Sequence, residues 1–451
     1  MPKPTSSNSR NHKSSAQKSA QNRPPAQSSA QPQPPAHAPI TPARSAAFAI
    51  LVRVADTSAH SDDLLHGPGM SALSQADRNL AHTLVLGVLR WQIALDARIA
   101  PLLQRPDQAL PTPVATALRM GAFQLLHLDR IPAHAALSES VELVRAAGHP
   151  HAAGMVNAIL RKLTRQPPAQ PKLYETTAAF AERLAHPLWL ANRWVQNYGR
   201  AAALAILTHN QQEPDTASLF PHDPDLPHLD DGSRLVAELA AAAHAAPTRI
   251  WDTCAAPGGK TLILSHRHPS AHLLATDANP RRLQSLTTRL EATSPAGATP
   301  PRTLQADATA LPDTEGLFDL ILCDVPCSGT GTLSRNPEIR QRLQPADLAR
   351  QATRQREILT AALTRLAPGG HLLYSTCSLE PEENEQVIAA ALAATPGITP
   401  LPLDSILAHL ATTGLLTAEP PADLLRNGNL RTLPGANFQG DGFFAALLHR
   451  P

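Results

Sequence analysis

The sequence predicts two folded regions, an all-α domain followed by an α/β domain with a doubly wound, mostly parallel sheet. Three observations carry that prediction. Apolar residues recur at helical spacing from Ala43 to about Arg165. From about Gly232 onward, short apolar runs alternate with helical patterns, the grammar of a parallel sheet. A glycine turn closes the first of those runs, where a strand must feed directly into a helix.

Composition narrows the function classes. At 451 residues the chain is long enough for two or three domains, and an apolar fraction of 43% can fill their cores. No uninterrupted apolar run reaches the roughly 18 residues of a membrane span, and the polar N-terminus lacks the apolar core of a secretory signal. No membrane partner is expected. The net charge of +2 argues against a protein that coats nucleic acid nonspecifically, but leaves room for a local basic groove. Past the first tail the lysines are Lys162, Lys172 and Lys260, and a codon bias toward Arg and Ala accounts for most of the arginine excess. Cys254, Cys323, Cys327 and Cys377 form no CxxC framework, so a disulfide scaffold or zinc ribbon is not expected. Buried or reactive thiols in a reducing cytoplasm are. No metal is expected.

Residues 1–42, rich in Ser, Gln, Pro, Ala and Asn, cannot bury enough apolar surface to order, and read as a disordered tail. Residues 43–168 read as the helical domain: Ala47-Ile50-Leu51-Val54, Leu80-Leu84-Val85-Val88-Leu89, Val114-Leu118-Ala122-Leu125, Leu137-Val141-Val144 and Met155-Ala158-Ile159-Leu163 each make an apolar face. Residues 169–231 read as a linker region. It begins in the Pro-containing stretch Gln166–Pro171, carries two helical patterns near 174–184 and 188–206, and ends in a loop from His209 to Asp231. Residues 232–451 read as the α/β domain. Its strands are expected at 248–252, 272–277, 302–305, 318–323 and 370–375, with helices at 233–243 and 345–366.

Four sites in that domain carry chemistry. In Asp252-Thr-Cys-Ala-Ala-Pro-Gly-Gly-Lys-Thr261 a strand ends in a glycine turn that opens a helix, so backbone amides can face a ligand. It is not a nucleotide P-loop, because Cys254 stands where that motif needs its first glycine. Asp277, ending the next strand, is placed to accept hydrogen bonds from ribose hydroxyls. Asp307 follows the third strand, where an adenine edge would lie. The apolar strand from Phe318 delivers Asp324 and Cys327, and the strand from Leu372 delivers Cys377, to the edge where such sheets bind ligands. Cys323 reads as a small buried hydrophobe and Cys254 as a packing residue. Spacing alone allows either Cys327 or Cys377 to be a nucleophile.

Taken together, DTCAAPGGKT, ATDANPRRL, DVPCSGTG, YSTCSLEPEENE and the C-terminal Asp441-Gly-Phe-Phe444 resemble the Sun/nucleolar-protein family of RNA 5-methylcytosine methyltransferases. In that family the α/β domain is a Rossmann-like S-adenosylmethionine-dependent methyltransferase domain. Asp77-Arg-Asn-Leu, Gly87-Val-Leu-Arg-Trp91 and Asn157-Ala-Ile-Leu-Arg161 resemble the NusB-like RNA-binding domain of one bacterial branch, which methylates 16S ribosomal RNA. The resemblance implies S-adenosylmethionine held by Cys254, Ala255, Ala256, Pro257, Gly258, Gly259, Lys260, Asp277, Asp307 and Asp324. It implies Cys377 as the nucleophile on carbon 6 of cytosine, Cys327 as an aid to product release, and Asp324 as a contact to the ring. The thiol has a chemical purpose: adding it to carbon 6 makes carbon 5 enamine-like and able to accept a methyl group. A monomer acting on 16S ribosomal RNA is the expectation; transfer RNA, 23S ribosomal RNA or a non-catalytic assembly role are the alternatives. The chain departs from the family before the catalytic domain. A small RNA-recognition-like subdomain with an Arg-x-Asn signature is usual there, and only His209–Asp231 fills the space. Smaller departures are Val325, where Ala is usual, and the Pro-rich insertion Thr293–Arg302.

Overall fold

The computed structural model describes residues 39–166, 175–213, 219–293, 299–417 and 419–451. The expected tail up to residue 38, most of the Gln166–Pro171 stretch and the middle of the Pro-rich insertion lie outside the described residues. The helical patterns fold where they are expected. Helix α1 (Pro42–Asp56) opens with proline, whose missing N–H costs nothing in a first turn. Short helices α2 (Ser61–Leu65) and α3 (Pro68–Ser71) lead to α4 (Gln75–Ile99), where the Ser74 hydroxyl accepts from Asp77 N at 3.1 Å. Helices α5 (Thr112–His127), α6 (Ala133–Ala146) and α7 (Ala153–Leu163) complete the group. Leu51, Leu84, Val88, Leu118, Val144 and Leu160 meet in its core, each contributing about 1.5–3 kcal/mol by leaving water.

Within the span read as a linker, α8 (Thr177–Arg183) and α9 (Leu188–His209) form, the latter kinked at Gly199 with φ of 82°. Phe180, Trp194 and Ile206 pack with Leu333 and Leu379 of the α/β domain, so this helix pair is seated on loops of the sheet. Residues 219–230 carry neither helix nor strand.

The α/β domain opens with α10 (Asp231–Ala242), capped by Asp230. Then come β1 (Arg249–Asp252), α11 (Gly259–Arg267), β2 (His272–Asp277), α12 (Pro280–Thr293), β3 (Arg302–Gln305) and β4 (Phe318–Asp324). Helices α13 (Ile339–Arg342) and α14 (Pro345–Thr364) precede β5 (Leu366–Thr376), and α15 (Glu385–Ala394), β6 (Thr399–Leu401) and α16 (Asp404–Thr412) follow it. Strands β7 (Leu425–Arg426), β8 (Asn429–Arg431) and β9 (Phe444–His449) end the chain. The sheet order is β3-β2-β1-β4-β5-β9-β8-β7, with β6 also on β9. Pairing is parallel from β3 through β5 and antiparallel from there on, for example Leu373 against Leu447. The doubly wound sheet therefore carries an antiparallel flank that the spacing of the first strands did not announce.

Alternation along β4 sends Leu320 and Leu322 to one face and Ile321 and Cys323 to the other. Leu235 of α10, Leu262 of α11 and Leu407 of α16 cover the first face; Ile358 of α14 and Val387 of α15 cover the second. Because both faces are covered, the place for chemistry is the C-terminal edge, where the chain leaves the paired strands β1 and β4 toward opposite flanks of the sheet.

The segment after β4 also joins the domains. Glu338 accepts from Ser61 N at 3.1 Å and Ser61 Oγ at 2.9 Å, Gln341 donates to Leu89 O at 3.0 Å, and Arg342 donates to Val54 O at 2.8 Å. Arg340 donates to Arg90 O at 2.5 Å and Asn210 O at 2.7 Å.

Candidate active site

The glycine turn is drawn tight by backbone bonds: Ala255 N to Thr276 O at 2.8 Å and Gly258 N to Ala255 O at 2.8 Å. Gly258 has φ of 101°, a conformation that disfavours any side chain. Pro257 is exposed at the tip, Ala256 is buried, and Gly259 starts α11. Beneath the turn Asp252 accepts from Thr261 Oγ1 at 2.7 Å. Burial pushes its carboxyl up to about 7, and the charges of Asp324 and Asp277 add to the rise against the Thr261 bond. Burial likewise pushes the Cys254 thiol to about 12 and the Cys323 thiol well above its usual range. Both thiols are thus disfavoured as thiolates.

Three carboxylates follow successive strands. Asp277 is 5% exposed; Oδ1 accepts from Asn279 N at 2.8 Å, and Arg282 stands 3.8 Å from Oδ2. Asp307 accepts from Thr309 N at 2.9 Å and from Arg354 at 2.5 Å. Partial burial opposes its charge, but these bonds prevail and lower its pKa. Asp324 holds Ser375 Oγ at 2.6 Å on one oxygen and Lys260 Nζ at 2.7 Å on the other. Burial works against the Lys260 ammonium, yet Asp324, with lesser help from Cys377 and Asp252, raises its pKa. Lys260 also stands 5.3 Å from the centre of the Phe443 ring.

The two strand-end thiols meet. Cys327 Sγ and Cys377 Sγ are 3.3 Å apart, and both residues are partly buried. The contact with Cys377, then burial, push the Cys327 thiol well above its usual range. Either sulfur can donate an S–H to the other across this contact. The Asp441-Gly-Phe-Phe444 stretch closes this corner. Gly331 N donates to Cys377 O at 2.9 Å and Gly442 N to Gly331 O at 2.8 Å. A Cβ on Gly331 would fall 2.1 Å from Gly442 O, so only glycine permits the approach. Asp441 is pushed up to about 8 by burial and by Asp230, although Arg335 bridges the two acids at 3.0 Å.

The structure thus brings Cys327, Cys377, Asp324 and Lys260 together, sets Asp277 at the neighbouring strand end, and leaves Asp307 on the flank, tied to α14. Sequence reasoning missed Glu383, a fully buried carboxylate that accepts from Ser328 N at 2.8 Å and Gln355 Nε2 at 2.9 Å, and from the Ser328 and Ser378 hydroxyls. Its signal was available: a serine follows each cysteine, and two Cys-Ser pairs on neighbouring strands call for a shared acceptor. Lys260 as the partner of Asp324 was also missed. Among the described residues no cluster of three or more His, Cys, Asp or Glu stands where it could hold a metal ion, and no helix is long and apolar enough to cross a membrane.

Residues 240–449 match the family described as 16S rRNA methyltransferase RsmB/F, and residues 41–165 match the NusB family. Ribosomal RNA small subunit methyltransferase B of Citrobacter koseri is 33% identical, with 84% of this chain and 92% of that protein aligned. The protein of the same name from Xanthomonas campestris pv. campestris is 32% identical over 90% of this chain and 96% of its own. The crystal structure of PH0851 superimposes with a TM-score of 0.71 at 20% identity, covering 92% of this chain and all (100%) of that one, a likeness of fold.

Proposed function

The chain belongs to the 16S rRNA methyltransferase RsmB/F family, and from that premise we propose that it moves a methyl group from S-adenosylmethionine to carbon 5 of a cytosine in 16S ribosomal RNA, through a transient bond from Cys377 to carbon 6. The observation that carries this reading is the 3.3 Å contact of two thiols beside the Lys260–Asp324 pair. A methyltransferase that alkylated a ring nitrogen or a ribose oxygen would have no use for that arrangement.

The residues fit the cofactor by their donor chemistry. Asp277 is a buried carboxylate with acceptor capacity left after its one bond to Asn279 N, which suits a ribose diol. The turn Cys254–Lys260 offers the amides of a helix start. Cys254, Ala255, Ala256, Pro257, Gly258, Gly259, Lys260 and Asp277, with Asp307 and Asp324 at the rim, are the residues that would hold it. When bound, the cofactor supplies an electrophilic methyl group.

The chain's own residues then divide the work. Cys377 adds as thiolate to carbon 6, forming the C–S bond and pushing an electron pair toward ring nitrogen 3 and carbon 5. Lys260, held by Asp324, stands within electrostatic reach of Cys377. Asp324, held on both oxygens, is the group oriented to meet the ring edge. After methyl transfer a water molecule, acting as base, takes the carbon 5 proton; the electron pair of that C–H bond re-forms the 5,6 double bond and expels Cys377 as thiolate. Cys327, kept as a thiol, hydrogen-bonds to the departing Cys377 sulfur. The choice of Cys377 over Cys327 as nucleophile, which spacing left open, follows the resemblance of Thr376-Cys377-Ser378 to the family's nucleophile motif.

Bisulfite sequencing of RNA from a deletion strain, with and without the restored gene, tests the target. One 16S cytosine is expected to lose and regain its methyl group; loss in transfer RNA or 23S ribosomal RNA instead would move the target. Replacing Cys327 with Ala tests the chemistry, because the RNA adduct should then persist on a denaturing gel.

A further inference from the structure

Glu383 takes no part in the steps above, yet four donors converge on it. Oε1 accepts from Ser328 N at 2.8 Å and Gln355 Nε2 at 2.9 Å, and Oε2 from the hydroxyls of Ser328 and Ser378. Four donors match the four lone-pair positions of a carboxylate. Hydrogen bonds alone thus replace the hydration that burial removed, without a cation in direct contact. The group is itself held: Tyr374 OH donates to Glu383 O at 2.6 Å. The next residue, Asn384, accepts from Thr376 Oγ1 at 2.6 Å and donates to Ser378 O at 2.8 Å.

The placement of those donors is specific. Ser328 directly follows Cys327 in the loop after β4, and Ser378 directly follows Cys377 in the loop after β5. Their hydroxyls also lie 3.1 Å apart. One carboxylate therefore grips the residue next to each thiol, across two separate strand ends. Gln355 adds α14 to the same node, and its Nε2 also reaches Pro326 O at 2.9 Å, on the other side of Cys327.

We propose that Glu383 is a positioning residue that clamps the Cys327 and Cys377 loops to each other and so sets the sulfur–sulfur approach used in the two-thiol cycle. The clamp rests on the two-thiol reading given above. A displacement of about 1 Å in either loop would separate the sulfurs beyond S–H contact, and misplacement on that scale costs about 100-fold in rate. The charge of Glu383 has a second effect in the same direction: it adds to the influences that keep Cys327 protonated, after the bond to Cys377 and burial.

The test is Glu383→Gln in the full-length protein, an isosteric change that turns one carboxylate oxygen into a donor facing hydroxyls. Iodoacetamide labelling of each cysteine, without RNA and read by peptide mass spectrometry, reports the thiols directly. Alkylation of Cys327 is expected to accelerate about tenfold as its thiolate becomes accessible. In turnover, kcat should fall about 10- to 100-fold with the KM for S-adenosylmethionine within about twofold, the signature of lost alignment rather than lost binding. RNA adduct should accumulate, as is expected of Cys327→Ala. Should E383Q fail to fold, the double variant Ser328→Ala/Ser378→Ala removes the hydroxyls alone and carries the same expectations. Wild-type labelling and turnover in a folded E383Q or in the double variant overturn the clamp, whatever Cys327→Ala does. Faster labelling with no adduct in Cys327→Ala upholds the clamp and overturns instead the release role of Cys327.

Discussion

At the C-terminal edge of the sheet, a buried carboxylate meets four donors and the Lys260 ammonium meets a carboxylate. At the seam with the helical domain, two buried guanidinium groups meet backbone carbonyls instead: Arg340 those of Arg90, Asn210, Ala185 and Leu333, and Arg90 that of Ser334. The Nε atoms of both arginines have no hydrogen-bond partner in the structure. Burial and the neighbouring Arg90 both disfavour the charge on Arg340. The contrast teaches where each region keeps its precision. At the edge both carboxylate oxygens of Glu383 are satisfied beside the two thiols, although Gln355 Oε1 in the same node has no hydrogen-bond partner. The seam tolerates unpaired nitrogens because it has only to hold one domain against another. Substitutions of the partly exposed reacting groups at the edge should therefore alter rate more than stability, and those at the seam should do the reverse.

The sharpest way to break that division is Cys377→Ser. Methyl transfer should fall by about 10⁴-fold or more, as when other covalent nucleophiles are removed, while thermal unfolding and cofactor affinity stay near wild type. A folded C377S protein with full activity would remove the thiol from the mechanism. At the seam, Arg340→Ala should cost at least about 3 kcal/mol in a urea or thermal unfolding series, since it strands the two closely bonded carbonyls of Arg90 and Asn210 at about 1–3 kcal/mol each. What unfolding leaves folded should still methylate at the wild-type kcat. A large drop in kcat with unchanged stability would mean that the seam shapes the site after all. Asp277→Ala belongs to the edge but touches binding alone: S-adenosylmethionine affinity should weaken about 10- to 100-fold, the worth of one or two hydrogen bonds to a charged group, as read by calorimetry. Unchanged affinity would take the ribose role from Asp277.

Much of this geometry was legible before any coordinates, and the reason is local. Strand ends, the glycine turn and helical faces are written in periodicity, and β1 to β5 fall where the apolar runs stand. Cys327 and Cys377 were placed at one edge because parallel strands deliver their C-termini to the same side. The contact between them was not legible, because a 3.3 Å approach depends on the register of β4 against β5, Asp324 facing Ser375. The antiparallel flank was missed because β9 pairs with β5 about 70 residues away in sequence, a long-range closure that no local pattern encodes. The role of Arg340 was illegible for the same reason: nothing in Asn336-Pro-Glu-Ile-Arg340 says that its guanidinium will meet α4.

His127 offers the gentlest test of the comparison, and it lies wholly in the helical domain. Its ring stacks on Trp91 with centroids 4.4 Å apart and lies 5.4 Å from Phe123. Burial, then the charge of Arg98, lowers its pKa to about 4, whereas the unfolded chain would titrate it near about 6.5. Between those values the unfolded state binds more protons than the folded one, so stability rises with pH across that window. The contribution is complete above about pH 6.5 and is lost as pH falls toward about 4. Allowing for partial solvent access, the loss between about pH 6.5 and pH 5 should be about 1 kcal/mol. His127→Phe keeps an aromatic ring against Trp91 and cannot take up the proton. The difference in unfolding temperature between wild type and H127F should therefore shrink or reverse in favour of the variant as pH drops through that window, with kcat at pH 7.5 unaltered. A pH-independent difference would mean that His127 is no more buried than an ordinary surface histidine, and that the helical domain stores less of the chain's acid sensitivity than its packing implies.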